Sequence, residues 1–388
     1  MLLTVLQDAF SRLTTILGAY YLGTSLYPEA KTYRLVADIA NDVAIVFDLL
    51  SPQLSQYSII WAFPFITALP GSSLRTSALC LSGAFRALCG VAAGGSRAAL
   101  TIHFAQDGVV PGDVGDLSAK DASKETVLAL IGMLLGSLIV PHLQTAESTY
   151  TVVCVLLVGH LLANYLAVRV VVMRSLNRQR TSLLWSAYRE HTDDGPSKRI
   201  LSRKEVAKRE YLFGRENVLL NLHLGVVKIS GRAKIGSSFC DIVPSQVNGF
   251  QENRPWVPKL LELFERENFV VWIQPSSSPS FSSSRSPQFH ILLKEGHTPA
   301  DHLKAWAFAC DLASLTTVGT YSRNSTALIE EMCRIKEEFD TVYNTFVEDI
   351  KRVGWDVEAS ALVSGSPRVI TLVDIEPGQN TTEDRKSI

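Results

Sequence analysis

The sequence has little charge and no excess of basic residues. Only 19% of its 388 residues are Asp, Glu, Lys or Arg, against about 25% in ordinary soluble domains. The formal net charge is −1, so a nucleic-acid partner, which normally requires a basic excess, is not expected. A hydrophobic content of 47% and a mean hydropathy of +0.15 exclude a disordered chain.

Common catalytic and metal-binding motifs are also absent. The six cysteines are scattered without a C-x-x-C pair, which indicates neither a zinc site nor a disulfide framework. The chain lacks G-x-x-x-x-G-K-[ST], G-x-G-x-x-G, H-E-x-x-H and G-x-S-x-G. We therefore predict no catalytic residue and no metal site, and we do not expect an enzyme.

The charges that are present lie mainly in the second half of the chain. Residues 1–175 carry 21 charged side chains, or 12% of positions, whereas residues 176–388 carry 54, or 25%. This asymmetry predicts a mainly α protein in which a multi-helix, membrane-embedded domain over residues 1–175 precedes a small α+β domain. A large soluble helical core is the alternative interpretation of the first part.

Long apolar runs favour the membrane interpretation. Tyr150–Met173 exceeds the roughly 20 residues that cross a bilayer. Thr126–Val140 is shorter and is expected to form a helical hairpin with it. Ile59–Leu69 is interrupted by a proline and is too short to span alone, so it suggests a broken or re-entrant segment. Ser77–Ala105 is rich in Gly, Ala and Ser, as in membrane helices that pack closely.

A basic run follows the last apolar segment. Ten Lys or Arg residues lie between positions 174 and 209, and cytoplasmic flanks of membrane helices carry such an excess. We therefore expect an integral membrane protein whose C-terminal half is cytosolic, in an organelle that the sequence leaves open. We interpret residues 176–210 as a basic linker, which can also contact anionic lipid headgroups.

Residues 211–375 are predicted to form the α+β domain. Just before it, Ser202 and Glu205 fit a capping box that opens a helix over residues 203–211. Two strand patterns, 269–274 and 288–294, flank a Ser-rich segment, 275–287, which we interpret as a flexible loop. Further strands are expected at 218–229 and 355–375, helices at 299–312 and 327–352, and a disordered tail at 376–388.

A first polar cluster lies in the helical pattern of residues 33–50. Asp38, Asn41 and Asp42 are spaced i, i+3 and i+4, so they share one helix face. On a soluble helix this face is simply the one exposed to water. Inside a membrane bundle, carboxylates are costly and are functional candidates by default.

A second cluster lies in the small-residue segment 91–105. Gly94 and Gly95 permit a tight backbone or a break in the helix, and Arg97 can pair with Asp38 or Asp42 or receive an anionic group. His103 has no second metal ligand nearby, so a histidine satisfied within the core is the preferred interpretation.

A third cluster is the polar segment 112–126, just before an apolar run. We interpret it as a loop that caps the helix beginning at Thr126. Alternatively, part of it lines a polar site at the membrane surface. The candidate residues are Asp116, Ser118, Lys120, Asp121 and Glu125.

The three clusters together resemble the signature segments of the RUS (root UVB sensitive) family. The matching segments are KTYRLVADIANDVA, GGSRAALTIHFA and GDLSAKDASKETVLALIG. The resemblance covers roughly residues 7–175 and continues more loosely in FGRENVLLNL, GHTPADHLKAWAFA and VGWDVEASAL. Family members usually carry a further segment before the equivalent of Gln7, so we expect that this chain lacks it.

The resemblance implies a membrane protein of unassigned reaction. In plants the family is associated with seedling development, UV-B responses, auxin distribution and pyridoxal phosphate homeostasis. The resemblance supplies no catalytic residue. We expect no cofactor, and only the family's association with pyridoxal phosphate homeostasis suggests pyridoxal phosphate. The expected partners are the lipid bilayer and another RUS-family protein or a second copy of the chain, without nucleic acid.

Three functions remain open at this point. The polar face of the membrane helices handles a small polar or anionic solute, with the α+β domain regulating it. Alternatively, the protein is a non-enzymatic membrane scaffold that recruits protein partners through residues 200–375. A third hypothesis is a soluble protein acting on pyridoxal phosphate, with Lys120 as the Schiff-base lysine.

Overall fold

The structure is a computed structural model of the whole chain. It describes residues 2–54, 71–106, 112–190, 200–223, 225–242, 256–274, 287–316, 325–359, 361–363 and 365–371. The chain divides into two compact units. We call residues 1–180, 200–215 and 350–365 the helical unit, and residues 181–199, 216–349 and 366–388 the α+β unit. The predicted segment 59–69, the tail 376–388 and residues 275–286 of the Ser-rich loop lie outside the described residues.

The described part of the helical unit is built on long helices. They are α1 (Leu2–Leu22), α2 (Ala30–Leu54), α3 (Gly71–Gln106), α4 (Val114–Ile139) and α5 (Ala146–Val170). Helix α3 packs against α1 and α2, α2 also packs against α5, and α4 contacts α3. Helix α2 therefore lies between α3 and α5.

Small side chains permit the close packing of α2 and α3. Ala37, Ala40 and Ala44 of α2 are buried, as are Ala92 and Ala99 of α3. Their small volume lets two helix backbones approach closely. Gly94 and Gly95 were expected to permit either a tight backbone or a break in the helix, and α3 continues through both glycines without a break.

Helix α4 begins earlier than predicted. Residues 112–126 were expected to be a loop, but α4 starts at Val114 with Asp113 as its N-cap, which accepts a hydrogen bond from the Gly115 N–H at 2.7 Å. Lys120 then donates to Asp116, one turn before it, at 2.7 Å. The loop prediction was wrong because these polar residues stabilise a helix from within, through the cap and an i, i+4 ion pair.

Helices α4 and α5 have almost no protein cover. No residue of α4 is buried, and Val168 is the one buried residue of α5. Leu128 and Leu138 are each 67% exposed. By length and composition, residues Leu74–Gln106, Val114–His142 and Ala146–Val170 form three helices that can cross a membrane. A helix of the length of α5 measures about 38 Å, which exceeds the ~30 Å hydrocarbon core.

The interval predicted to be a basic linker, 176–210, contains two helices. Helix α6 covers Arg178–Glu190 and α7 covers Arg203–Arg209. The capping box is confirmed, because the Ser202 hydroxyl accepts from the Glu205 N–H at 3.3 Å while the Glu205 carboxylate accepts from the Ser202 N–H at 2.8 Å. Helix α7 ends two residues before the predicted end, and most side chains of α6 are buried.

A small sheet forms the centre of the α+β unit. Its strands are β1 (Val218–His223), β2 (Val226–Ile235), β3 (Phe269–Gln274), β4 (Gln288–Lys294) and β5 (Val369–Ile370). The order is β1-β2-β4-β3, with β5 pairing beside β4. The β1–β2 and β3–β4 pairs are antiparallel, whereas β4 runs parallel to β2 and to β5.

The α+β unit also contains helices. They are α8 (Phe239–Ile242), α9 (Trp256–Leu263), α10 (Pro299–Thr316) and most of α11 (Ser325–Arg352). Helix α10 contacts β1, β2, β3 and β4 and buries Trp306, Phe308 and Leu312 completely or nearly so. Because its apolar side chains face the sheet, α10 forms the main layer of the core.

The sequence predicted the strands of this unit better than its last segment. Strands β3 and β4 have the predicted bounds, and α11 ends at the predicted position, Arg352, shortly before Gly354, whose φ is +92°. The long strand expected at 355–375 is wrong for the described part, where Val369–Ile370 forms a two-residue strand and Asp356 forms an isolated bridge with Ser175. Asp356 instead accepts a hydrogen bond from the Ala359 N–H at 2.9 Å, which forms a turn.

Candidate functional site

The acidic face of α2 is turned into the helical unit. Asp38 and Asp42 are buried at 7% and 5% exposure, while Asn41 is half-buried. These residues share a face because their i, i+3, i+4 spacing follows the helical repeat. Two carboxylates one turn apart are costly to bury unless they find partners.

Asp42 has a partner that the sequence did not reveal. The Nδ1 atom of His160, on α5, lies 2.9 and 3.0 Å from the two carboxylate oxygens of Asp42. The contact follows from the packing of α5 on α2. The sequence did contain one indication of this contact. His160 lies in the middle of the most apolar run of the chain, and ionisable side chains in such segments are rare and usually functional.

Asp38 and Asp42 each keep one buried carboxylate oxygen without a hydrogen bond among the described residues, although Oδ1 of Asp42 lies 2.9 Å from the His160 Nδ1. The cation beside Asp38 is Arg34, one turn earlier, at 3.6 Å from Oδ1. No residue of the described part of the chain forms a hydrogen bond with the buried Oδ2 atom of Asp38. We call Asp38, Asp42 and His160 the acid–histidine cluster, which offers an open acceptor beside a group that can carry a proton.

Arg97 connects two helices. Its guanidinium contacts Asp121 and Glu125 of α4, each at 2.8 Å. These two acids lie one turn apart on α4, so both face the same arginine. Arg97 therefore pairs with the third predicted cluster rather than with Asp38 or Asp42, and two carboxylates already neutralise it, which disfavours its use as a receptor for an anionic group.

The other predicted site residues are dispersed. Gly94 is exposed, whereas Gly95 lies against Leu26, where a Cβ atom would come within 3.1 Å of the Leu26 Cβ. His103 is buried, with its ring centre 5.2 Å from that of Phe104. The structure brings neither glycine into the acid–histidine cluster.

The polar residues in the first turns of α4 are exposed. Asp116 and Ser118 are exposed, and the Lys120 side chain is 68% exposed in its pair with Asp116. A cofactor held covalently by a lysine needs an enclosing pocket that excludes water. The surroundings of Lys120 do not fit such a group, and we derive no step through it.

A second network of buried charges was not predicted. Glu210 accepts from Lys31 of α2 at 3.0 Å and from Arg180 of α6 at 2.6 Å, and all three side chains are at most 5% exposed. Burial would raise the pKa of Glu210, but the ion pairs with Arg180 and Lys31 outweigh it and lower the pKa. Burial lowers the pKa of Lys31, against the effect of Glu210. The network could not be predicted from the sequence, because its residues lie up to 179 positions apart in the chain.

The arrangement favours hydrogen-bond acceptance and proton exchange over metal binding. Within the described residues, no group of three or more His, Cys, Asp or Glu side chains is placed to hold a metal ion. The acid–histidine cluster instead combines an open carboxylate oxygen with an Asp–His pair. Such a set can bind a group that carries N–H or O–H donors, or pass a proton between carboxylate and imidazole.

Comparison with known proteins places these residues in a family. The model of the family described as "Vitamin B6 photo-protection and homoeostasis domain" matches residues 1–192, which include the acid–histidine cluster. The protein "root UVB sensitive 3" of Arabidopsis thaliana is 35% identical over 207 residues, which cover 53% of this chain and 41% of that protein. "RUS family member 1" of Dictyostelium discoideum is 30% identical over 204 residues, 52% of this chain and 35% of that protein.

A third relative aligns over more of the chain. "Root UVB sensitive 2, chloroplastic" of Arabidopsis thaliana is 22% identical over 337 residues, 86% of this chain and 64% of that protein. The chain thus spans less than two thirds of the length of each of these relatives. No solved structure matches it. On the family model and these relatives, the chain belongs to the root UVB sensitive (RUS) family.

Proposed function

We propose that the helical unit is embedded in a membrane, which α3, α4 and α5 cross. The uncovered apolar surface of α4 and α5 supports this, because a helix that is apolar all round requires a bilayer or a protein core around it. Leu134 and Val155 illustrate this surface, at 59% and 65% exposure. The basic residues that follow α5 favour a cytosolic C-terminal half.

We further propose that the acid–histidine cluster handles a small polar solute within this unit. The observation that carries the proposal is the burial of Asp38 and Asp42 beside His160, in a bundle whose neighbouring helices are uncovered. Ionisable residues placed in membrane bundles line solute paths or proton relays. The open Oδ2 atom of Asp38 favours a solute with hydrogen-bond donors over an anionic one.

The family suggests the biological setting of this solute. The matching family model is described by vitamin B6 photo-protection and homoeostasis, so we propose that the solute is a form of this vitamin or a compound that affects its level. Pyridoxine is a suitable probe, because it is a neutral molecule with several O–H donors.

The test compares two acids of the same helix. Asp42→Asn removes the charge beside His160, whereas Asp48→Asn alters an acid of α2 that contacts Arg86 and is 35% exposed. We would measure the cellular pyridoxal phosphate content of cells that lack their own family protein and produce each variant. We expect the wild type and Asp48→Asn to restore this content and Asp42→Asn to fail at equal abundance. Full restoration by Asp42→Asn would contradict the proposed site.

A non-enzymatic scaffold is the alternative function. A specific observation favours it: the α+β unit has its own core and lies, from residue 216 onwards, beyond the residues that the family model matches. Deleting residues 200–375 would also remove Glu210, so replacing residues 216–349 with a flexible linker is the cleaner test. Loss of a stoichiometric partner in co-purification, with no pyridoxine uptake by wild-type proteoliposomes, would favour the scaffold. Uptake that Asp42→Asn abolishes would favour the solute site.

A further inference from the structure

A cavity of about 190 Å³ lies in the α+β unit, between α6, β1 and α10. It is much larger than the ~30 Å³ that one water molecule occupies in the liquid, and smaller than the roughly 300 Å³ or more of pockets for drug-sized ligands. Leu220 and Leu222 of β1 give it apolar surface, and Asp311, Glu190 and Arg189 give it charge. Its volume fits a small ligand, and its lining fits a ligand that has an apolar part and a polar end.

Asp311 is the most unusual residue of this cavity. It is 4% exposed, and its Oδ1 atom accepts from the Trp185 indole N–H at 2.7 Å and lies 3.2 Å from the Arg189 Nε. The buried Oδ2 atom has no hydrogen-bond partner within the described residues. A buried carboxylate oxygen without a donor is costly. The χ2 torsion of aspartate is broad, so a small rotation can turn this oxygen toward a ligand.

The charges around the cavity favour a cation. Glu190 lines it beside Asp311, and Glu338 of α11 contacts Arg189 at 2.6 Å. Among the described residues, the Arg189 guanidinium is paired with both Asp311 and Glu338, and Glu190 lines the same cavity. His223, whose Nδ1 lies 3.5 Å from Glu190, is the remaining titratable side chain of the cavity wall with basic character.

We propose that this cavity binds a small primary ammonium cation. The N–H groups of the ammonium donate to Asp311 and Glu190, and the alkyl part lies against Leu220 and Leu222. The ligand supplies the donor that the Asp311 Oδ2 atom lacks among the described residues. This proposal is independent of the solute site in the helical unit, because every residue that it uses belongs to the α+β unit.

The ionisation of Asp311 supports the proposal. Burial raises the pKa of Asp311 to about 6, although the nearby Arg189 opposes the shift. A cation binds the ionised carboxylate, so binding should be strong at about pH 7.5 and about tenfold weaker one pH unit below the pKa of Asp311. His223 also lines the cavity, so the His223→Gln variant should be measured in parallel and should retain the pH dependence.

The test uses the purified full chain in detergent micelles and n-butylammonium as the probe, with binding measured by calorimetry. Two compounds serve as ligand controls: 1-butanol has the alkyl part without the charge, and tetramethylammonium has the charge without N–H donors. We expect saturable binding of n-butylammonium alone. Equal binding of 1-butanol would show that the cavity is only an apolar or water-filled space, and equal binding of tetramethylammonium would show non-specific attraction of cations; either result would overturn the proposal.

Variants locate the binding on Asp311. Asp311→Asn keeps the shape of the side chain but removes its charge, and should weaken n-butylammonium binding about tenfold or more. The matched control is Asp241→Asn, which alters a half-buried acid of the same unit that pairs with Lys234 outside the cavity, and it should bind as the wild type does. Unchanged binding in Asp311→Asn would overturn the proposal. If Asp311→Asn does not fold, the pH titration of wild type and His223→Gln decides, and binding that does not weaken on acidification refutes the site.

Discussion

Replacing Glu210 with alanine should destabilise the protein severely. The substitution leaves Lys31 and Arg180 buried at no more than 4% side-chain exposure without their shared carboxylate. Removing one partner of a buried ion pair costs about 3–5 kcal/mol, because the remaining charge is desolvated without compensation. For a chain of 388 residues, such a loss lowers the midpoint of thermal unfolding by about 4–6 °C.

A second variant shows whether the destabilisation comes from losing the ion pairs of Glu210 or from leaving Lys31 and Arg180 buried without a counter-charge. In the triple variant Lys31→Met, Arg180→Met and Glu210→Leu, no charge of the network remains buried. Apolar replacement of a buried ionic network is often neutral or stabilising, so the triple variant should lie within about 2 kcal/mol of the wild type. It should therefore unfold at a higher temperature than Glu210→Ala, although it carries more substitutions.

The assay is thermal unfolding of the full chain in detergent micelles, followed by circular dichroism. The pKa of Glu210 is lowered in the folded state, so its stabilising effect is present above the ordinary glutamate pKa of about 4.3 and is lost as the pH falls through the folded value. The wild type should consequently lose more stability on acidification below about pH 4.3 than the triple variant. If Glu210→Ala unfolds at the same temperature as the wild type near pH 7, where Glu210 is ionised, the reasoning is refuted.

Three further outcomes follow from local contacts. Ser202→Ala should cost about 1 kcal/mol, because it removes the capping box of α7, and urea unfolding measures the loss. Gly94→Ala should stabilise α3 by up to about 1 kcal/mol, since nothing lies near its Cβ position, whereas Gly95→Ala meets Leu26 and should destabilise by about 1–3 kcal/mol in the same assay. Lys294→Met should cost about 1.5–3 kcal/mol, because it removes the charged donor that binds the Phe264 carbonyl at 2.6 Å and the Glu265 carbonyl at 3.3 Å, and thermal unfolding would detect the loss.

Local sequence signals predicted those parts of the fold that depend on local interactions. The capping box at Ser202, the bounds of β3 and β4, and the end of α11 before Gly354 each follow from residues within a few positions of one another. The start of α4 was missed because polar residues in a capped, ion-paired first turn resemble a loop in composition. The full extent of β5 was misjudged because an alternating pattern does not show whether a partner strand lies beside it.

The candidate site was predictable in its residues but not in its partners. The spacing of Asp38 and Asp42 placed both on one face of α2, and both are buried. Their environment depends on which helix packs against α2, so the contact with His160, 118 positions from Asp42, could not be deduced from spacing. The pairing of Arg97 with α4 instead of α2 has the same origin, because several acids were equally plausible partners until the packing of α3 was known.

The most direct test of the central claim is the behaviour of the full chain in alkaline carbonate extraction of cell membranes. The uncovered apolar surfaces of α4 and α5 predict that the protein pellets with the membranes. A C-terminal tag on the same protein should be digested by protease added from the cytosolic side. Release of the protein into the carbonate supernatant would contradict membrane insertion, and with it the account of Asp42 and His160 as an intramembrane solute site.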